Sequence, residues 1–345
     1  MARFLLLVSL LGVSSAFKFE PVYDWEPFDY NWPSEEIKNK TLNGSRFDLR
    51  QIEPWYLAVY EDRMFLSLSR FNSEVPAILV WLPISQQSTS PKLTPFTSLE
   101  LQEFGNKKAM QDVRGVEVDS TGRLWAVDNG NYEEFPGKLW IFDLRNNDTV
   151  ILVHSFPSQV VDVPRELNAV ALDQTSDDWF AYVSDLRSLH LIVFSLARNA
   201  SWSVDIGQNR ASGLAISPCP DRSRLFVAEA DDEQMLGVAL TELRAGNRNL
   251  SVSLLGRRES RTSKMAMNRK GVLYSEFMNN RSLNTWNTKQ PFKEESFYLG
   301  DSLLDYYRPI VFNFDQADNL WLLTANKISP RFRLFKAAPV DNARC

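Results

Sequence analysis

The chain has 345 residues, 44% of them hydrophobic and 23% charged, with a formal net charge of -5. That length buries a large core without staples, and an acidic balance with no basic tract interleaved with aromatics excludes nucleic acid as a partner. The only histidines are His154 and His190, the only cysteines are Cys219 and Cys345, and no C-x-x-C occurs, which excludes zinc chemistry.

The chain opens with MARFLLLVSLLGVSSA: one basic residue, Arg3, then an apolar run from Phe4 to Val13, then the small residues Ser14 and Ala16. This is signal-peptide construction, predicting cleavage after Ala16 and a secreted, extracellular mature chain from Phe17 to Cys345. No later stretch reaches the roughly 18 apolar residues of a membrane helix, so no membrane partner is expected. N-x-S/T sequons at Asn39, Asn43, Asn147, Asn199, Asn249 and Asn280 fit that route, several of them in turn-like stretches such as NNDT and RNAS.

From Asp62 onward one unit recurs. DRMFLSLSR begins at Asp62, GRLWAVD at Gly122, DWFAYVSD at Asp178, SRLFVAEA at Ser223, KGVLYSEF at Lys270 and DNLWLLTAN at Asp318. Each is a polar turn cluster followed by a short alternating apolar and aromatic strand. Met64, Leu124, Phe180, Leu225, Val272 and Leu320 serve as equivalent points, spaced 45 to 60 residues apart. VRGVEVD, LNAVALD, ASGLAIS, SKMAMN and IVFNFD supply the preceding strands, and KLWIFDL and LHLIVFSL supply strands further out. Strand-only content at this period predicts an all-β, six-bladed propeller as a single domain over residues 17–345, expected to be a monomer. Trp125, Trp179, Trp321 and Phe226 then fill the wedge between blades. Asp128, Asp185 and Asn326 fall at strand ends, where short side chains bond free backbone N–H groups. The first unit is the most weakly patterned, and its blade is predicted to be completed by the C-terminal strand.

VRGVEVDSTGRLWAVDNG, LHLIVFSLARNASWSV, MNRKGVLYSEFMNNRSLNTWNTKQPF, LWLLTANKISPRF and, near Ser69, SRFNSEVPAILVWLP together resemble the yellow and major royal jelly proteins in the right order along nearly the whole mature chain. The resemblance implies a six-bladed propeller and secretion. It implies scattered functions: cuticle pigmentation, dopachrome conversion, nutrition, or binding of biogenic amines in the central channel. The chain departs from the family's cysteines, with Thr121 before Gly-Arg-Leu-Trp, its partner position upstream near Asn106, and Thr285 before Trp-Asn. A Cys219–Cys345 link would be a divergent substitute. Pairing of Cys345 with another molecule, or a free thiol, stands equally open.

Propeller function sits where the innermost strands converge on the axis. Arg114, Glu117, Asn168, Ser212, Lys264 and Arg308 are candidates to line that channel, and Tyr306 and Tyr307 are aromatics placed to sandwich a ring. The resemblance adds Asn326, in the tail segment that with Lys327 contributes to the amine pocket, against a plain strand-end cap. A hard-oxygen Ca²⁺ site could recruit Glu166, Asn168 and Asp185. No spacing enforces it, turn capping beside Pro164 outweighs it, and neither metal nor cofactor is expected. The histidines read as sheet residues away from the axis. A general base would have to be a carboxylate with a raised pKa, such as Glu117 or Asp128. No G-x-S-x-G elbow appears. The leading expectation is a secreted propeller binding a small aromatic or cationic, catechol-like ligand. A pigment-pathway enzyme such as a dopachrome-converting one, or a structural or nutritive glycoprotein, are the alternatives, and whether the chain is an enzyme is left open.

Overall fold

The computed structural model describes residues 18–44, 47–70, 75–85, 87–131, 134–218, 221, 223–246, 250–276, 282–297 and 307–339. Residues 1–17, with the expected signal peptide, and Cys219, Cys345, Tyr306, Asn249 and Asn280 lie outside the described residues.

The chain enters through strand β1 (Phe19–Trp25) and helix α1 (Glu35–Gly44), then builds blade after blade. The first blade is β2 (Pro54–Tyr60), β3 (Arg63–Leu68), β4 (Leu79–Pro83) and β5 (Thr94–Pro95). The second is β6 (Val113–Val118), β7 (Arg123–Asp128), β8 (Lys138–Asp143) and β9 (Thr149–Ser155). The third is β10 (Leu167–Gln174), β11 (Trp179–Asp185), β12 (His190–Ser195) and β13 (Ala200–Asp205). The fourth is β14 (Ala211–Ile216), β15 (Arg224–Glu229), β16 (Gln234–Ala239), the short helix α2 (Leu240–Ala245) and β17 (Val252–Arg257). The fifth is β18 (Met265–Met267), β19 (Val272–Glu276), β20 (Leu283–Asn287) and β21 (Glu295–Phe297). β22 (Tyr307–Phe314), β23 (Leu320–Asn326) and β24 (Phe332–Ala337) belong to the last, giving six antiparallel four-stranded sheets, a six-bladed propeller. Neither described helix is long and apolar enough to cross a membrane. The six equivalent points of the repeat all fall on second strands: β3, β7, β11, β15, β19 and β23.

Closure differs from the sequence expectation. The first blade finishes itself with β5, and β1 pairs antiparallel with β24, so the ring closes on the last blade through the N-terminal strand. The residues of FEPVYDW explain this. Tyr23 and Trp25 turn into the core, the Trp25 indole donates to the Pro91 carbonyl at 2.7 Å, and Asp24 takes Arg331 and Arg333 of the last blade at 2.7 and 3.0 Å.

In the second, fifth and last blades the turn between the first two strands is held by one side chain. Asp119 Oδ1 accepts the amides of Thr121 and Arg123 at 2.8 and 3.1 Å, while Oδ2 accepts the Trp125 indole at 2.8 Å. In the last blade Asp315 accepts the amides of Ala317 and Asn319, both at 2.9 Å, and the Trp321 indole at 2.9 Å. Asn268 repeats the amide pair with Lys270 and Val272. Each turn needs a left-handed residue three positions on, supplied by Gly122, Gly271 and Asp318 with φ of 82°, 83° and 65°. One carboxylate therefore closes a turn and gives a buried indole its partner, which lets Trp125 sit wholly inside between sheets.

Trp321 and Phe226 are likewise buried, and aromatic edges meet across blades at Trp125–Phe194, Phe226–Trp286 and Tyr274–Phe314. Trp179 joins them at the rim of the wedge: it packs against the cluster of Trp125 and Phe194, half-buried beneath the Arg123 guanidinium of the neighbouring blade, and also borders the funnel, because it stands at the first position of β11. The strand ends behave as the sequence predicts. Asp128 takes the amides of Gln111, Asp112 and Gly130, and Asp185 takes those of Glu166 and Arg187.

Candidate functional site

The inner strands β2, β6, β10, β14, β18 and β22 touch in sequence around the axis and enclose a channel. Where they end, it opens into a funnel of about 570 Å³ walled by Val170, Leu172, Leu214, Ile216, Met267 and Phe314, with Glu117 and Asn313 among its polar groups. Deeper lies a cavity of about 20 Å³, room for a single water, lined by Trp55, Lys264, Glu117 and Asn313 among others. Glu117 and Asn313 border both spaces, so they stand at the constriction between them.

Glu117 lies on β6 opposite Trp125, past a bulge between Val113 and Val116 that shifts the register. Asn313 Nδ2 donates to Glu117 Oε2 at 3.1 Å and to the Leu57 carbonyl at 3.1 Å, bridging the last blade to the first and second. The Val118 amide lies 3.4 Å from Oε1. Among the described residues no cation pairs with this carboxylate. Enclosure by the six inner strands pushes its pKa up from 4.5 to about 7 against the opposing pull of Asn313 and the Val118 amide.

At the other end, where the inner strands begin, stand Arg114, Asn168, Ser212, Lys264 and Arg308. Bulges recur here in five blades, between Pro54 and Tyr56, Val113 and Val116, Leu167 and Val170, Ala211 and Leu214, and Pro309 and Val311. Such bulges re-aim the side chains beside them. Asn168 Nδ2 donates to the Ser212 carbonyl at 3.3 Å, Ser212 Oγ to the Thr262 carbonyl at 2.6 Å, and Lys264 Nζ to the Ile310 carbonyl at 2.7 Å. These residues hook one blade to the next. Gly115 allows the approach of β6 to β10: a Cβ there would stand 2.5 Å from the Asn168 carbonyl oxygen. Arg308 is exposed.

The remaining candidates are placed as follows. Asn326 ends β23 opposite Tyr307, and its Oδ1 accepts the amides of Ile328 and Ser329 at 2.8 and 3.1 Å. Tyr307 is buried under the Arg333 guanidinium, 4.5 Å from its ring centre. Of the oxygen set considered for Ca²⁺, Glu166 takes Arg187 at 3.1 Å and lies 3.7 Å from Arg114, Asp185 is spent on two backbone amides, and Asn168 points its amide at Ser212. Guanidinium groups already occupy the carboxylate of that set. His190 opens β12, exposed, and His154 lies on the outer strand β9 against Asn199 and Ser201, both far out in their blades. Asn39, Asn43, Asn147 and Asn199 are exposed.

Sequence reading named Glu117 but not the two residues that give it a setting, Asn313 and Trp55. The available signal for Asn313 was an amide inside the otherwise apolar IVFNF. For Trp55 there was none beyond an aromatic beside Pro54.

A family model described as major royal jelly protein matches residues 111–251 and 235–324. Protein yellow of Drosophila subobscura is 24% identical over 388 aligned residues, covering 98% of this chain and 66% of that protein. A dopaminechrome tautomerase of Drosophila melanogaster is 26% identical over 204 residues, covering 56% of this chain and 44% of that protein. The chain thus spans 66% or less of the length of these relatives. Among solved structures, a gluconolactonase from Xanthomonas campestris superposes with TM-score 0.54 at 14% identity, covering 94% of this chain and 99% of that one. A luciferin-regenerating enzyme gives 0.55 at 10% identity, covering 87% and 94%. At such identity these two share the fold alone.

Proposed function

The chain belongs to the major royal jelly protein family, and from that premise we propose that it is a secreted propeller whose axial funnel binds a small aromatic ligand bearing a cationic amine. The observation that carries this reading is Glu117, a carboxylate without a cation partner among the described residues, at the floor of a funnel whose lining mixes apolar with polar and charged side chains. The apolar part of that wall, with Val170, Leu172, Leu214 and Phe314, suits a ring. The carboxylate, held off its ordinary pKa by enclosure, gains most from an ammonium. Calorimetric titration with biogenic amines tests it: binding by the wild type and a loss of tenfold or more in Glu117→Gln support the reading. Unchanged affinity in that variant, or failure of every amine, overturns it and favours a structural or nutritive role.

A second reading rests on the same carboxylate. A base with a pKa of about 7 suits proton transfer at neutral pH, and a relative carries the name dopaminechrome tautomerase. In that reading Glu117 takes a ring or side-chain proton from an aminochrome bound in the funnel and returns it elsewhere on the ring, a tautomerisation with no net redox change. Turnover by the wild type that Glu117→Gln abolishes separates an enzyme from a binder. Arg114, Asn168 and Asn326 stay candidates for a ligand that reaches the opposite mouth, and Tyr306 stays a candidate outside the described residues.

A further inference from the structure

The outermost strand of each blade leaves one edge unpaired, and such edges recruit other chains unless something blunts them. Five of the six are blunted by their own residues. β5 is two residues ending on Pro95, β21 is three with Glu295, β13 ends on Asp205 and β17 on Arg257. β1, at the edge of the last blade, carries Glu20, Pro21 and Asp24. β9 has none of these. It reads TVILVHS, without Pro, Gly or a formal charge, and Val150, Ile151 and Val153 are 43%, 49% and 40% exposed. A bulge at Ile151 interrupts its pairing with β8 but leaves the apolar run in water. A segment of that composition is the kind that pairs edge to edge.

Two sequons bracket this strand. Asn147 stands in the turn between β8 and β9, and Thr149, the third residue of its sequon, opens β9. At the far end of β9, His154 touches the sequon of the next blade. Burial pulls its pKa below 6.5, so the ring is neutral and has one donor and one acceptor. Nδ1 donates to Asn199 Oδ1 at 3.3 Å and Nε2 accepts from Ser201 Oγ at 2.9 Å. The contact uses the Asn199 oxygen, which a glycosylated asparagine retains, and not Nδ2.

We propose that N-linked glycans on Asn147 and Asn199 cover β9 and keep two copies of the chain from pairing along it. The inference is independent of the funnel reading and requires only entry into the secretory route. There each Nδ2 displaces the lipid diphosphate of a glycosyl donor at the sugar's anomeric carbon, forms the N–C bond and gives up one proton. Both asparagines are exposed on turns. A glycan is bulky and solubilising, and one at each end screens a strand about 23 Å long. An antiparallel β9–β9 pair would set each copy's Asn147 against the other's His154 end, where the sugars on Asn147 and Asn199 collide.

The test expresses the full chain in a secreting eukaryotic cell. Peptide mapping of the secreted protein should find glycan on both Asn147 and Asn199, and either one found bare overturns the proposal. The double variant Asn147→Gln, Asn199→Gln should self-associate at a concentration about tenfold lower than the wild type in sedimentation velocity. Adding Ile151→Lys should restore wild-type behaviour, since a lysine on an edge strand blunts pairing. Asn39→Gln with Asn43→Gln removes the sequons of helix α1 and should leave association unchanged. Should the double variant fail to be secreted, trimming the glycans of the folded wild type to their first sugar with an endoglycosidase reads the same shift. Association that stays at the wild-type level after removal or trimming, that Ile151→Lys does not reverse, or that the α1 variant shares, overturns the shield.

Discussion

Replacing Glu117 by Gln isolates what enclosure does to one carboxylate. Its folded-state pKa of about 7 lies above the ordinary value of 4.5, so between those values the native protein keeps a proton that the unfolded chain releases. The contribution of Glu117 to stability is therefore fullest below pH 4.5, declines as pH rises, and levels off above about 7. The full displacement corresponds to about 3 kcal/mol. Water in the funnel partly solvates the carboxylate, so about 1–3 kcal/mol is the expected size. Gln keeps an oxygen for Asn313 and never ionises. In urea denaturation followed by tryptophan fluorescence, E117Q should match the wild type near pH 5 and exceed it by that amount at pH 8. An ammonium ligand needs the ionised form, which rises from about a tenth to about nine-tenths of the population between pH 6 and 8, so wild-type affinity should grow about tenfold across that interval. A stability difference between the two proteins that does not vary from pH 5 to 8 would refute the reasoning.

Asp119→Ala leaves the Trp125 indole buried without an acceptor and frees two turn amides, and should cost about 2–4 kcal/mol in the same denaturation assay. Asp24→Asn should weaken the closing strand by about 1 kcal/mol at neutral pH. Its carboxyl is held below 3.8 by Arg331 and Arg333, so that difference should fade as pH falls through the acid range, and a difference persisting at pH 2 would contradict it. Asn326→Ala removes the acceptor of two amides and should lower stability by about 1 kcal/mol, with affinity of the folded fraction unchanged if the ligand lies in the funnel. A tenfold loss of affinity would move the ligand toward the opposite mouth.

The fold was legible because several blades restate the same local chemistry. Asp119, Asn268 and Asp315 bond amides two and four residues ahead, so the turn and the strand after it are written within a few residues of each other. Closure was not, since the pairing of Phe19 with Ala337 depends on which chain end reaches an open edge first in space, and both ends alternate suitably. The site was half legible. Glu117 stands out in VRGVEVD as a charge in an apolar alternation, whereas its partner Asn313 comes from a blade almost two hundred residues away and meets it only across the axis. Trp179 fills the wedge as its alternation predicts, but its place at the first position of β11 leaves it half-buried at the rim, where it also meets the funnel.

Partnering separates architecture from function among the polar groups of the channel. Asp119, Asn168, Ser212 and Lys264 each have acceptors or donors within the fold, and changing any of them opens a blade junction or a turn. Glu117 has no cation partner among the described residues. An enclosed carboxylate without a cation costs the folded state free energy, and that cost is the kind found at functional sites. The same division lets one propeller carry different functions: substitutions at Glu117 alter what the channel accepts while the side chains that tie one blade to the next stay in place. Glu117→Gln, which should raise stability at pH 8 while lowering amine affinity, is the variant in which these two demands part most visibly.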